Sequence, residues 1–88
     1  MFKMWGKLIK DSHLQKDVVV RISDYSLSRT QMVFQSLNEI CREFDLESPI
    51  WLDASVRDFK RHDRVRFSQD NFIETIPFDY LEIQVIEE

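Results

Sequence analysis

The chain has 88 residues, a net charge of −4 and a single cysteine, which bounds it to one domain around one core. Hydrophobic residues make up 43%, with seven phenylalanines, enough for that core, while one glycine and two prolines exclude low-complexity linkers and glycine-rich phosphate loops. Cys41 alone excludes an intrachain disulfide framework or a multi-cysteine zinc site, and points to a reducing cytoplasm.

Phe2–Lys10 reads as a strand in which Trp5, Leu8 and Ile9 are apolar and lysines punctuate. Gly6 there allows a bulge or a close backbone approach. Those lysines leave no apolar h-region for a signal peptide, and no stretch approaches the roughly 20 apolar residues of a membrane span. Residues 11–16 are polar enough for a connection. Residues 17–23 form a β-branched strand with Val18, Val20 and Ile22 on one face, so the two strands suggest an antiparallel hairpin of open turn type.

A helix follows. Val33, Leu37, Ile40, Cys41 and Phe44 recur at the 3.6-residue period, and Phe34 widens the stripe. Ser28 is placed to cap it with Gln31 in a capping box, flanked by Leu27 and Met32 as a hydrophobic staple. Pro49 biases Ser48 to extended geometry and limits continuation.

Residues 50–53 read as extended. Asp53 or Ser55 is placed to cap a brief helical turn that carries Val56 and Phe59 inward. Arg64-Val65-Arg66-Phe67 alternates, as a short strand or the end of that helix. Asp70-Asn71 reads as a turn, and Phe72, Ile73 and Ile76 as an apolar patch before Pro77. Residues 79–86 alternate clearly, Leu81, Ile83 and Val85 against Glu82 and Gln84, which suggests an antiparallel sheet with one solvated side. The expected fold is α+β, in the order β-β-α-(β/short α)-β. A small antiparallel sheet, the N-terminal hairpin plus the C-terminal strand, packs on one main helix. A terminal strand this apolar needs a neighbour on each side or charged guards, which keeps homodimerisation open.

Charge is segregated along the chain. Residues 1–23 carry five Lys/Arg against two Asp, residues 57–66 five against two, and residues 74–88 five acids and no base. The candidate binding residues are therefore Arg57, Lys60, Arg61, His62, Arg64 and Arg66, with Trp51 as an adjacent aromatic. On a helix Arg57, Arg61 and Arg64 share a face, and on a strand Arg64 and Arg66 do. Either way a basic ridge results. Three readings compete for it: a solvated face neutralised by the chain's own acids, a surface for an acidic protein, and a nucleic-acid interface. No helix-turn-helix, RNA-recognition aromatic box or GXXG loop supports the last.

His62 has Asp58 four residues back, the spacing at which a helix lets a carboxylate orient an imidazole. The sequence names no third group, so a surface ion-pair network is the plainer account. His13 and His62 lack metal-ligand spacing, and neither a metal nor another cofactor is expected. Cys41 reads as a small buried hydrophobe, and Trp5 and Trp51 as closures of the two ends of the core.

The Met-Trp-Gly-Lys-Leu-Ile-Lys start, Ile-Trp-Leu-Asp, Asp-Phe-Lys-Arg-His-Asp and the Phe-Asp-Tyr-Leu-Glu-Ile-Gln-Val-Ile-Glu-Glu ending resemble short hypothetical proteins of Gram-positive anaerobic bacteria. The resemblance spans nearly the whole chain. It implies a complete intracellular protein, and it brings no activity and no functional residue. The leading expectation is a small non-enzymatic cytoplasmic interaction domain with a protein partner or a second copy of itself. A nucleic-acid module is the alternative, and an enzyme centred on His62 comes third. No membrane or small-molecule ligand is indicated.

Overall fold

The computed structural model describes all 88 residues. Four strands, β1 (Phe2–Lys10), β2 (His13–Ile22), β3 (Arg64–Phe67) and β4 (Tyr80–Glu87), form one antiparallel sheet in the order β2-β1-β4-β3. Two helices, α1 (Arg29–Glu43) and α2 (Asp53–His62), cover one of its faces. The α+β architecture expected from the sequence is present, in the full order β-β-α-α-β-β. Residues 53–67 realise both readings of that stretch, a helix and then a strand.

Strand alternation sets which face is covered. Phe2, Met4 and Leu8 of β1, Val20 and Ile22 of β2, Val65 and Phe67 of β3, and Leu81 and Ile83 of β4 are buried on the helix side. From α1 they meet Val33, Leu37, Ile40, Cys41 and Phe44, the stripe read from the sequence. Gly6 serves close approach rather than a bulge. It pairs regularly with Val18 and Ile83, while a Cβ built on it would lie 2.6 Å from Cγ2 of Ile40. The bulges fall elsewhere, between Leu8 and Ile9 against β2 and between Lys3 and Met4 against β4.

The hairpin is tighter than expected. β2 begins at His13, not at Asp17, and the connection is only Asp11 and Ser12. Both have left-handed backbone angles (φ 52° and 64°), as a type I′ turn requires, because its twist matches that of the flanking strands. With one glycine in the chain, short polar residues take every left-handed position: Asp11, Ser12, Asp45 and Asp63.

Both sides of the α1 capping box form, with Gln31 N–H donating to Ser28 Oγ (3.1 Å) and Ser28 N–H to Gln31 Oε1 (2.8 Å). Past its C-cap, Phe44, Leu46 N–H reaches Cys41 O and Asp45 N–H reaches Arg42 O, a complete Schellman motif with Asp45 in the glycine position.

Several local expectations need correction. The α2 N-cap is Leu52, which offers no side-chain cap; Asp53 and Ser55 lie inside the helix, where Ser55 is bonded by Asn71. Val56 is exposed rather than inward, and α2 buries Phe59 and Ser55. Ile73 is exposed, while its neighbour Phe72 is buried against Phe78. β4 is an inner strand with β1 and β3 on its two sides, so it needs no guard. The free edges are the short β3 and the ten-residue β2.

Candidate interaction surface

The site starts from a strap, residues 50–52, strung between α1 and α2. Ile50 N–H donates to Asn71 O (2.6 Å), and Asn71 Nδ2 donates back to Ile50 O (2.8 Å) and to Ser55 Oγ (2.9 Å). Oδ1 of Asn71 in turn accepts from Ser68 N–H (3.0 Å). The amide is buried, and every one of its polar atoms is used, as a buried polar group requires. The strap therefore has a fixed height, and Trp51 is held at its middle.

Trp51 joins three elements through edge-to-face contacts. Its ring lies 6.0 Å from Phe34 of α1, 5.6 Å from Phe59 of α2 and 5.0 Å from Phe67 of β3, centroid to centroid. Between the two helices these rings leave a cleft of about 250 Å³, walled chiefly by Val33, Phe34, Trp51, Val56 and Phe59. Phe34 and Val56 are exposed at its mouth. The Trp51 indole N–H is buried with no acceptor. An unpaired buried donor costs about 1–3 kcal/mol, and the Ser36 hydroxyl on the buried side of α1 is the other side-chain group left without a partner.

The cations expected as one ridge fall into groups. Arg57, Lys60 and Arg61 stand exposed on α2 beside Val56, with Lys60 also lining the cleft, and none of the three enters an ion pair. Lys60, Arg61 and His62 occupy the last turn, where positive charge complements the helix dipole, whereas Arg57 does not. Arg64 and Arg66 belong to β3 and project from the open sheet face, so Arg64 shares no helical face with Arg57 and Arg61. His62 is exposed at the end of α2, beside Asp58, Arg64 and Arg66 in a shallow depression. It makes no side-chain hydrogen bond to Asp58, nor to any other group.

Four of the chain's own acids, Asp63, Glu82, Glu87 and Glu88, are ion-paired, and among the ridge residues they reach only Arg66. Glu88 and Asp63 both hold Arg29, at the first turn of α1; Arg29 also rests over the Phe59 ring. Glu87 pairs with Lys3 and the N-terminal amine. Glu82, expected on a solvated face, is buried between Lys7 (2.7 Å) and Arg66 (2.9 Å). Burial pushes its carboxyl up, but the hydrogen bonds and charges of Lys7 and Arg66 outweigh that and hold it below the usual range. Only Arg66, among the expected ridge residues, is neutralised by the C-terminal segment.

On the open sheet face, register places Asp17, Lys7, Glu82 and Arg66 in one row across all four strands, alternating in sign. Trp5 belongs to this face and not to an end of the core: its indole N–H donates to Asp17 (3.0 Å), with Lys7 over its ring. Cys41 is buried under α1, and desolvation pushes its thiol up to about 11, the state of an inert core thiol. No group of three or more His, Cys, Asp or Glu side chains converges as a metal site would, and no helix is long and apolar enough to cross a membrane. Phe34 is the wall residue that sequence reasoning undervalued. Its place at the margin of the α1 stripe was the available signal.

The chain matches no protein-family model, no curated protein and no solved structure among those compared, which leaves the geometry of this surface as its guide to function.

Proposed function

We propose that this is a non-enzymatic interaction domain that captures an acidic, apolar-anchored segment of a partner protein in the cleft between α1 and α2. One observation carries this reading: a solvent-open aromatic cleft adjoins three exposed cations, none in an ion pair, that outnumber the one carboxylate beside them, Asp53. An apolar anchor entering between Phe34, Trp51 and Val56 supplies affinity by desolvation, while Arg57, Lys60 and Arg61 steer and orient the acidic flank. The single buried cysteine fits a cytoplasmic setting.

Nucleic acid is less favoured. A phosphate backbone rewards a continuous basic stripe, whereas Asp53 and Asp58 interrupt α2, Arg66 is committed to Glu82, and Arg64 projects from the open sheet face. An enzyme centred on His62 lacks support, since no group orients the imidazole.

Display of random peptides on the intact domain tests the reading. Selected sequences should pair Asp or Glu with a large apolar residue, and their binding should be lost in both Val56→Glu and the triple variant Arg57→Glu, Lys60→Glu, Arg61→Glu. Neutral or basic consensus sequences, or binding that survives both variants, would refute it.

A further inference from the structure

The long free edge of the sheet has a self-complementary pattern. β2 runs ten residues with its outer side unpaired and contains no proline, which would block a ladder. Asp17 and Arg21 lie on its open face, each two residues from Val19, and both are exposed. Arg21 has no ion-pair partner in its own chain. Asp17 uses Oδ2 to accept from Trp5, which fixes the carboxylate on that face and leaves Oδ1 available.

We propose that β2 is a homodimerisation edge, with two copies pairing their β2 strands antiparallel about a two-fold axis at Val19 to give one continuous sheet. A two-fold perpendicular to a sheet keeps each side chain on its own face, so it passes through a residue, and the residues equally distant on either side face each other. Centred on Val19, Asp17 of each copy lies opposite Arg21 of the other, which makes the ion pair twice. Val18 lies opposite Val20 on the helix side. Lys16, the charge that would otherwise guard this edge, lies opposite Ile22 and meets no like charge. Centring on Val18 or Val20 breaks both ion pairs, and centring on Asp17 or Arg21 sets like charges face to face. Charge thus selects one register as well as one partner. This inference is independent of the α1–α2 cleft.

Sedimentation equilibrium of the full chain, with foldedness checked by circular dichroism, tests it. The wild-type chain should dimerise in a concentration-dependent way, and Arg21→Glu, which opposes Asp17 with a like charge twice, should raise the dimer Kd about tenfold or more. The double variant Asp17→Lys, Arg21→Glu should recover most of that loss. A second measurement uses Val19→Cys. Directly opposed strand residues have Cα atoms about 4.5–5.5 Å apart, within disulfide range, so mild oxidation should cross-link Val19→Cys far faster than Leu14→Cys. A wild-type chain that stays monomeric at every concentration overturns the proposal. So does an Arg21→Glu chain that dimerises as wild type does, or cross-linking no faster at residue 19 than at 14.

Discussion

Gly6→Ala isolates the contact on which the placement of α1 depends. The added Cβ would lie 2.6 Å from Cγ2, 2.9 Å from Cδ1 and 3.0 Å from Cγ1 of Ile40. Carbon atoms rest best at roughly 3.5–4.0 Å, so the helix or the strand must give by about 1 Å. Ile40 is fully buried, and two of the three offending atoms branch directly from its Cβ, so no flexible tip is free to swing aside. Overpacking of this kind costs about 1–3 kcal/mol. Alanine returns about 0.4–1 kcal/mol by restricting the unfolded chain. The net expectation is a loss of about 1–2 kcal/mol, or roughly 4–16 °C in Tm for a domain of this size.

Urea unfolding followed by tryptophan fluorescence measures the loss, and a double-mutant cycle locates it. Ile40→Ala alone should cost about 2–5 kcal/mol through the cavity it leaves. It also removes all three clashing atoms, so in the double variant the new methyl fills part of that cavity. The pair should therefore be less destabilised than the sum by about 1 kcal/mol or more. Additive effects, or a Gly6→Ala chain as stable as wild type, would refute the close-approach account of α1.

Three further perturbations test other parts of the fold. Asn71→Leu strands the Ile50 carbonyl, the Ser55 hydroxyl and the Ser68 N–H; it should cost about 2–4 kcal/mol and alter the Trp51 emission even where the protein stays folded. Asp45→Gly relieves a left-handed residue that has no side-chain partner, and should raise stability by about 0.5–1 kcal/mol in urea melts. Glu82 has a folded-state pKa below its unfolded value, so its contribution is present above the unfolded pKa, about 4.3, and is lost as pH falls through the folded one. Glu82→Gln should cost about 1–3 kcal/mol at pH 7 and flatten the acid limb of the stability–pH curve, an effect read from urea midpoints between pH 7 and 3.

Much of the fold was legible because its signals are local. The α1 stripe, its capping box and the alternation of β2 and β4 each lie within one element, and each is present. What was misplaced depended on contacts between elements. Val56 has the period of a buried helix residue, yet Trp51 and Phe34 leave its side of α2 uncovered. Glu82 alternates as an outward residue should, and only the arrival of Lys7 and Arg66 from two neighbouring strands buries it. The hairpin turn was missed because Asp-Ser lacks the glycine that usually marks a type I′ turn. The candidate site was half legible. Its cations and Trp51 are visible as composition, but the split between α2 and β3 follows from a chain reversal at Asp63, whose left-handed geometry no pattern announces.

That reversal decides how charge is shared out. The acidic C-terminal segment runs as β4 between β1 and β3, so its carboxylates meet the cations of those strands: Glu82 meets Lys7 and Arg66, and Glu87 meets Lys3. Glu88 and Asp63 are taken by Arg29, which as the first residue of α1 sits at the wrong end of the helix dipole and needs both. The C-terminal residues 82, 87 and 88 are then committed, and α2, on the far side of the strap from α1, keeps Arg57, Lys60 and Arg61 unpaired. Their freedom is a consequence of topology rather than of an excess of positive charge, since the chain as a whole is acidic. An acidic partner of the kind proposed would therefore meet an attractive patch on a molecule of net negative charge, a field that favours one docking orientation and weakens with salt.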